Sequence, residues 1–149
     1  MRHTHYLMLT VMTVLSFISM YIFMYAMVDR FADVYPSINQ AYMAGLMTAP
    51  MVIIELLVMG TMYKSRTANM AILGGSLALL LLCWLAIRGQ IAVGDTQFVK
   101  SMIPHHSGAI LMCREASIVD ARLKKLCGEI IEGQQREINQ MKEILATLK

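Results

Sequence analysis

Residues 102–112 carry side chains whose chemistry suits a metal ion. In helical spacing, Met102, one of His105 and His106, and then Met112 share a face, because positions three and four apart stack. Thioether and imidazole donors suit copper, Cu(I) more than Cu(II), and suit calcium or magnesium poorly. The stretch therefore predicts a copper site. The alternative is a core methionine pair beside two histidines that bind no metal.

A second group of polar side chains lies in residues 121–148. Apolar residues recur there at spacings of three and four, which predicts an amphipathic helix. Gln134 and Glu137 interrupt this apolar stripe between Ile130 and Met141. Such an interruption is typical either of a binding site or of a helix edge at the rim of a core, and both interpretations stay open.

We expect these two helices to form an antiparallel hairpin that turns near Asp120, a residue type that favours the helix N-cap. The pairing places His106 level with Gln134 and Met141 within a turn of Met102. Met112 lies further away and is a candidate for a second site. The predicted metal ligands are Met102, His105, His106, Met112 and Met141, with Glu137 as a further candidate.

The same pairing places Cys113 opposite Cys127. Three interpretations stay open: a disulfide that staples the hairpin in an oxidising compartment, two small buried hydrophobic residues, or a Cu(I)–thiolate role. Cys83 lies in an apolar run and is expected to be inert.

The first 93 residues are typical of a membrane domain. The chain is 57% hydrophobic and 15% charged over 149 residues. Apolar stretches long enough to cross about 30 Å of hydrocarbon predict transmembrane helices over residues 6–27, 42–63 and 70–91. Residues 94–149 form the predicted hairpin domain. We therefore expect an all-α membrane protein, in which two hairpins from a homodimer complete a ferritin-like four-helix bundle.

Positive charges flanking the spans indicate the orientation. Arg2, Lys64 and Arg66 would lie on one side of the membrane, and Arg30 and Arg88 on the other. This bias favours an N-terminus in the cytoplasm and a hairpin in the periplasm, with the spans in a bacterial inner (cytoplasmic) membrane. The formal net charge is +3 and no basic patch stands out, so nucleic acid is not an expected partner.

The spans contain many of the 15 methionines. In the second span, Met43, Met47, Met51 and Met59 follow a four-residue repeat whose gap holds Glu55. Such a ridge either packs helices together or passes Cu(I) along, and the M-x-x-x-M spacing resembles a feature of three-span copper uptake transporters. Because a carboxylate in a bilayer usually faces a partner or a cavity, Glu55 with Met51 and Met59 is a candidate intramembrane site.

Two motifs resemble the family called domain of unknown function 305. They are M-I-P-H-H at residues 102–106 and Q-x-x-E-I-x-x-M at residues 134–141, and the likeness covers about residues 95–149. The resemblance implies a ferritin-like fold and a part in copper binding or copper resistance. The residues to which it gives a metal-binding role are Met102, His105, His106, Met112 and Met141.

The leading hypothesis is a non-enzymatic, membrane-anchored protein that captures copper, with a copper chaperone or an efflux system as its expected partner. The alternatives are a Cu(I) transporter or transport accessory and a purely structural dimerisation hairpin. A di-iron oxidase is disfavoured, because Glu-x-x-His pairs are absent and few acidic residues lie near the histidines.

Overall fold

The computed structural model describes the backbone of residues 2–148 and the side chains of residues 4–148. Over this part of the chain the secondary structure is helical, without β-strands, which confirms the all-α prediction. The five α-helices are α1 (Arg2–Phe23), α2 (Ile38–Val58), α3 (Arg66–Gly89), α4 (Asp95–Glu115) and α5 (Ala121–Thr147), and two short 3-10 helices lie at Met24–Met27 and Phe31–Asp33.

The chain divides into two compact units that alternate along the sequence. The membrane unit comprises Met1–Phe23 and Asn39–Ile91, and the hairpin unit comprises Met24–Ile38 and Ala92–Lys149. The connection between α1 and α2 therefore belongs to the hairpin unit, whereas the sequence pattern assigns all of residues 1–93 to one membrane domain.

Three stretches are long and apolar enough to cross a membrane: Thr4–Met27, Ile38–Val58 and Arg66–Gly89. Each predicted span is matched by one of these stretches, but the bounds of all three differ, and the first begins at Thr4 instead of residue 6. The second ends at Val58 instead of residue 63, because Tyr63 lies in the turn that follows and donates a hydrogen bond back to Glu55 Oε1 at 3.2 Å. The third begins at Arg66 instead of residue 70, because Ser65 Oγ caps it by accepting from the Ala68 N–H at 3.3 Å.

The helices of the membrane unit pack through an apolar cluster and through a close contact at a glycine. Leu9 of α1 joins Val52 and Leu56 of α2 in an apolar cluster. Gly45 permits the close approach of α3, since a Cβ built there would lie 2.8 Å from Cys83 Sγ. Most large apolar side chains outside these contacts are exposed in the single chain, as expected of surfaces that face lipid.

Helices α4 and α5 form the predicted antiparallel hairpin around a core of Val99, Ile103, Ile110 and Ile138. Helix α4 stops at Glu115, since the next residue has extended backbone angles. It also runs without interruption through residue 104, although a proline there removes one backbone hydrogen bond.

The connection between the two hairpin helices is fixed at both sides. Cys113 and Cys127 form a disulfide with a Cα–Cα distance of 5.2 Å. Because the sulfurs are bonded to each other, neither is available as a thiolate ligand. As predicted, Asp120 caps α5, and its carboxylate accepts from the backbone N–H groups of Arg122 at 2.8 Å and Leu123 at 3.4 Å.

Stability at the start of α5 should depend on pH through Asp120. Its pKa is lowered from the ordinary 3.8, mainly by hydrogen bonds from the Arg122 side chain and then from the Arg122 backbone. A carboxyl group whose pKa is lower in the folded state stabilises the fold above its unfolded pKa, and the contribution is lost as pH falls through the folded pKa. Asp120→Ala should therefore lower the melting temperature at neutral pH, and this difference should shrink in strong acid.

The measurement is thermal unfolding of the full chain in detergent, followed by circular dichroism from neutral to strongly acidic pH. Asp120→Asn is the matched control, because asparagine keeps a capping oxygen but does not titrate. A difference between Asp120→Ala and wild type that stays constant across the whole pH range would contradict the prediction.

Candidate functional site

His106 is the predicted ligand that lies deepest in the hairpin, with 8% of the residue exposed. Its Nδ1 lies 2.9 Å from the carbonyl oxygen of Met102, one helical turn earlier. A carbonyl oxygen only accepts, so Nδ1 carries a proton and donates it to this bond. The bond fixes the ring orientation and directs Nε2 towards α5.

The Nε2 atom of His106 faces a carboxylate, with Oε2 of Glu137 at 2.8 Å. In a neutral imidazole protonated at Nδ1, Nε2 bears a lone pair, which a carboxylate oxygen at this distance would repel. The two atoms therefore share a proton in a hydrogen bond. Metal-binding histidines are commonly oriented in this way, with one ring nitrogen bonded to a backbone carbonyl and the other free for the metal.

Gln134 supplies a further oxygen one turn before Glu137 on α5. Its Oε1 is buried and has no hydrogen-bond partner among the residues that the structure describes. Leaving a buried amide oxygen unpaired costs on the order of 1–3 kcal/mol, so such an atom is suited to a ligand. Since residues three apart share a helix face, the amide and the carboxylate lie on the same side of α5.

Of the other predicted ligands, Glu137 is the one whose side chain contacts the His106 ring among the contacts that the structure describes. His105 is exposed, and its ring centroid lies 6.2 Å from that of His106 with the ring planes 63° apart, so the two rings diverge. Met112 is 53% exposed, and Met141 packs against the apolar core of the hairpin. The backbone of Met102 orients His106, as described above. Within residues 4–148, no three His, Cys, Asp or Glu side chains are close enough together to hold a metal ion.

The candidate intramembrane site also differs in composition from the predicted one. Glu55 lines a cavity of about 190 Å³ in the membrane unit, and its hydrogen-bond partner there is Tyr63. Met51 and Met59 do not line this cavity. The four-residue methionine repeat thus identified the carboxylate but not the side chains that surround it.

A buried polar network lies beside His106, and the sequence pattern does not predict it. Ser107 is fully buried; its hydroxyl donates to Asp33 Oδ2 at 2.8 Å and accepts from the Asp29 N–H at 3.0 Å. Asp33 also accepts from Lys142 Nζ of α5 at 2.5 Å. One carboxylate from the α1–α2 connection therefore contacts both helices of the hairpin.

A second carboxylate extends the network towards the disulfide end of α4. Asp29 Oδ1 accepts from Arg114 at 2.5 Å, and only 4% of the Asp29 side chain is exposed. Gly108 allows the α1–α2 connection to lie close to α4, because a Cβ at this position would lie 3.3 Å from the carbonyl oxygen of Met27. The sequence shows the four-residue spacing of Asp29 and Asp33 and the small pair Ser107-Gly108. Neither pattern indicates which residues these side chains contact in the fold.

Comparison with known proteins matches this hairpin to a described family. The model for "Domain of unknown function (DUF305)" matches residues 84–145. The uncharacterized protein L153 of Acanthamoeba polyphaga mimivirus is 32% identical over 141 residues, which cover 93% of this chain and 91% of that protein. The chain belongs to the same family as this mimivirus protein, and its residues 84–145 are similar to DUF305. No solved structure matches it.

The DUF305 match includes all of α4 and most of α5, and with them His106, Gln134, Glu137 and Ser107. The mimivirus protein is similar over nearly the whole chain, so its likeness reaches beyond the DUF305 match into the membrane unit. Asp29 and Asp33 lie outside the residues that the DUF305 model matches.

The network should make a measurable contribution to stability through Asp33. Asp33→Asn removes the charge that compensates Lys142. Breaking a buried ion pair costs about 3–5 kcal/mol, but the side chain of Lys142 is 32% exposed, so we expect a smaller loss, about 1–3 kcal/mol. Denaturant unfolding of the full chain in detergent measures it.

Glu132→Gln is the matched control, since it neutralises an exposed carboxylate on α5. The double variant Asp33→Asn/Lys142→Met should lose less stability than the sum of its single variants, because the two residues interact. A stability of Asp33→Asn equal to that of Glu132→Gln would contradict the assigned role.

Proposed function

We propose that this chain is a membrane-anchored copper-binding protein that captures the ion with its hairpin unit. The supporting observation is the orientation of His106, whose Nδ1 is held by a backbone carbonyl while Nε2 is directed at Glu137. The unpaired Oε1 of Gln134 adds an oxygen donor one turn away. The capturing group is thus an imidazole held in position before the ion arrives.

Copper suits this donor set in both oxidation states, with different partners for His106. An imidazole nitrogen with carboxylate and amide oxygens suits Cu(II), which such sites bind more tightly than other divalent first-row metals. Thioethers from Met102 and Met141 would instead favour Cu(I). The family resemblance points in the same direction, since it gives the histidines and methionines a role in copper binding.

Glu137 has to move for an ion to enter beside His106. The distance between Nε2 and Oε2 is 2.8 Å, whereas an ion between them needs two bonds of about 2 Å each. The Glu137 side chain is 52% exposed, so it is free to rotate outwards. Capture on this proposal exchanges the proton between the two groups for the metal ion, and binding should weaken at low pH.

Copper binding is tested by comparing the two neighbouring histidines in the full chain purified in detergent. His106→Gln should weaken the affinity for copper at least tenfold, because it removes the oriented nitrogen. His105→Gln, the matched control, should change it little, since that side chain is exposed. The measurement is competition against a chromophoric chelator, with Cu(I) under anaerobic reduction and with Cu(II) separately. Equal affinities of the wild type and both variants would refute the proposal.

We further propose that the hairpin acts as a homodimer. Apolar side chains remain exposed on both helices of the single chain, among them Phe98 at 52%, Leu123 at 51% and Leu126 at 49%. A second hairpin would cover such residues in a four-helix bundle, the usual arrangement for amphipathic helix pairs. Two-fold symmetry would place two His106 sites in each assembly.

Oligomeric state follows from the molar mass of the protein part of the detergent complex, obtained by light scattering. The wild type should have the mass of two 16.7 kDa chains, and Leu123→Glu/Leu126→Glu the mass of one. Asn139→Asp places a new charge at an exposed position on the opposite side of α5 and should leave the dimer intact. A wild type with the mass of a single chain would exclude the dimer.

The proposed location is a bacterial inner membrane with the hairpin in the periplasm. The Cys113–Cys127 disulfide favours an oxidising compartment for the hairpin. The distribution of Lys and Arg around the spans favours the same orientation. Transport of Cu(I) through the spans is the second candidate function, and the observation that favours it is the cavity beside Glu55.

A further inference from the structure

A second cluster of potential metal ligands lies in the membrane unit, at the end where α1 begins and α2 ends. It surrounds the cavity of about 190 Å³ that Glu55 lines. From α1 the cavity is lined by His5, Met8 and Met12, which follow each other at spacings of three and four and so form one stripe on the helix. Met62 lines it from the turn after α2.

Most potential ligand atoms that line the cavity are soft donors, and one carboxyl group, that of Glu55, lies among them. Three thioethers and one imidazole are the donors that Cu(I) prefers, whereas hard cations would need more oxygen ligands than the single carboxylate of Glu55 offers. A carboxylate in a membrane span is costly unless a positive charge or a hydrogen bond compensates it. The hydroxyl of Tyr63 provides one hydrogen bond to Glu55, at 3.2 Å.

The walls of the cavity are fixed by hydrogen bonds around Tyr6. Its hydroxyl donates to Asn69 Oδ1 at 2.8 Å and accepts from the Ser65 N–H at 3.1 Å. Asn69 in turn donates to the carbonyl oxygen of Tyr63 at 2.7 Å. The start of α1 is thereby tied to the turn that carries Met62, so donors from α1, α2 and this turn stay together without a bound ion.

We propose that this cavity binds one soft monovalent cation, Cu(I), through the thioethers of Met8, Met12 and Met62 and the imidazole of His5. The carboxylate of Glu55 compensates the charge of the ion. The site shares no residue with the candidate site in the hairpin, so it does not depend on copper capture there. It deepens the second candidate function, Cu(I) transport through the spans, by naming the residues that would bind the ion.

Silver(I) is a suitable probe, because it shares the soft ligand preference of Cu(I) and does not change oxidation state under assay conditions. The test variant is Met8→Leu/Met12→Leu/Met62→Leu, in which leucine keeps the apolar volume and removes the sulfur. The matched control is Met43→Leu/Met47→Leu/Met70→Leu, which removes three exposed thioethers of the spans that do not line the cavity. Both are made in the full chain and purified in detergent.

The measurement is the number of silver ions retained per chain after desalting, determined by elemental mass spectrometry. We expect the cavity variant to hold one ion fewer than the wild type, and the control variant to hold the same number. Glu55→Gln should keep the ligands but weaken Cu(I) affinity about tenfold, as loss of a charge-compensating neighbour does at other metal sites. Equal silver content and equal Cu(I) affinity in the cavity and control variants would overturn the proposal.

Repeating both variants in a His106→Gln background separates the two proposals. In this background the difference in silver content between the cavity and control variants reports on the membrane unit alone, while the copper competition with His106→Gln reports on the hairpin. If the cavity site is absent, the cavity and control variants hold equal silver in both backgrounds.

Discussion

A buried carboxylate needs hydrogen-bond donors or a positive charge beside it, and the hairpin unit contains such a carboxylate in Asp33. Asp33 is 3% exposed and meets a hydroxyl from α4 and an ammonium group from α5. Without these partners its charge would be too costly to bury. Because Asp33 comes from the connection after α1, its compensation holds a segment distant in sequence against both helices. The same contact fixes Ser107, the residue next to His106, whose hydroxyl also accepts from the Asp29 N–H.

Local patterns in the sequence were sufficient for the elements of this fold. Apolar runs of about 20 residues identified the three spans, since crossing a bilayer sets both length and composition. Spacings of three and four in residues 121–148 identified α5, and an antiparallel hairpin then followed from the short connection before it. The placement of Cys113 opposite Cys127 followed from the same geometry, whereas its chemical state did not, because three roles fit the same spacing. All of these features are determined by residues that lie close together in the sequence.

Features set by distant contacts were not accessible in this way. Adjacent histidines leave a helix about 100° apart, so one of them faces inwards, but which one depends on how α5 packs. The structure buries His106 and exposes His105. Tyr63 was expected to end a span at the membrane surface, yet it turns back to bond Glu55. The methionine repeat drew attention to Met51 and Met59 along α2, whereas the side chains that share a cavity with Glu55 come mostly from α1.

The disulfide between Cys113 and Cys127 closes a covalent ring around the link that joins α4 to α5. Val119, at the middle of that link, is 86% exposed, as a segment open to proteases would be. A single cut there would leave both helices in one molecule, because the sulfur bridge still connects the fragments. Releasing the distal fragment would take two separate chemical events, hydrolysis of the backbone and reduction of the bridge. An oxidised hairpin that has been nicked at its tip would thus keep its two helices covalently joined, while a reduced one would hold α5 only by its packing against α4.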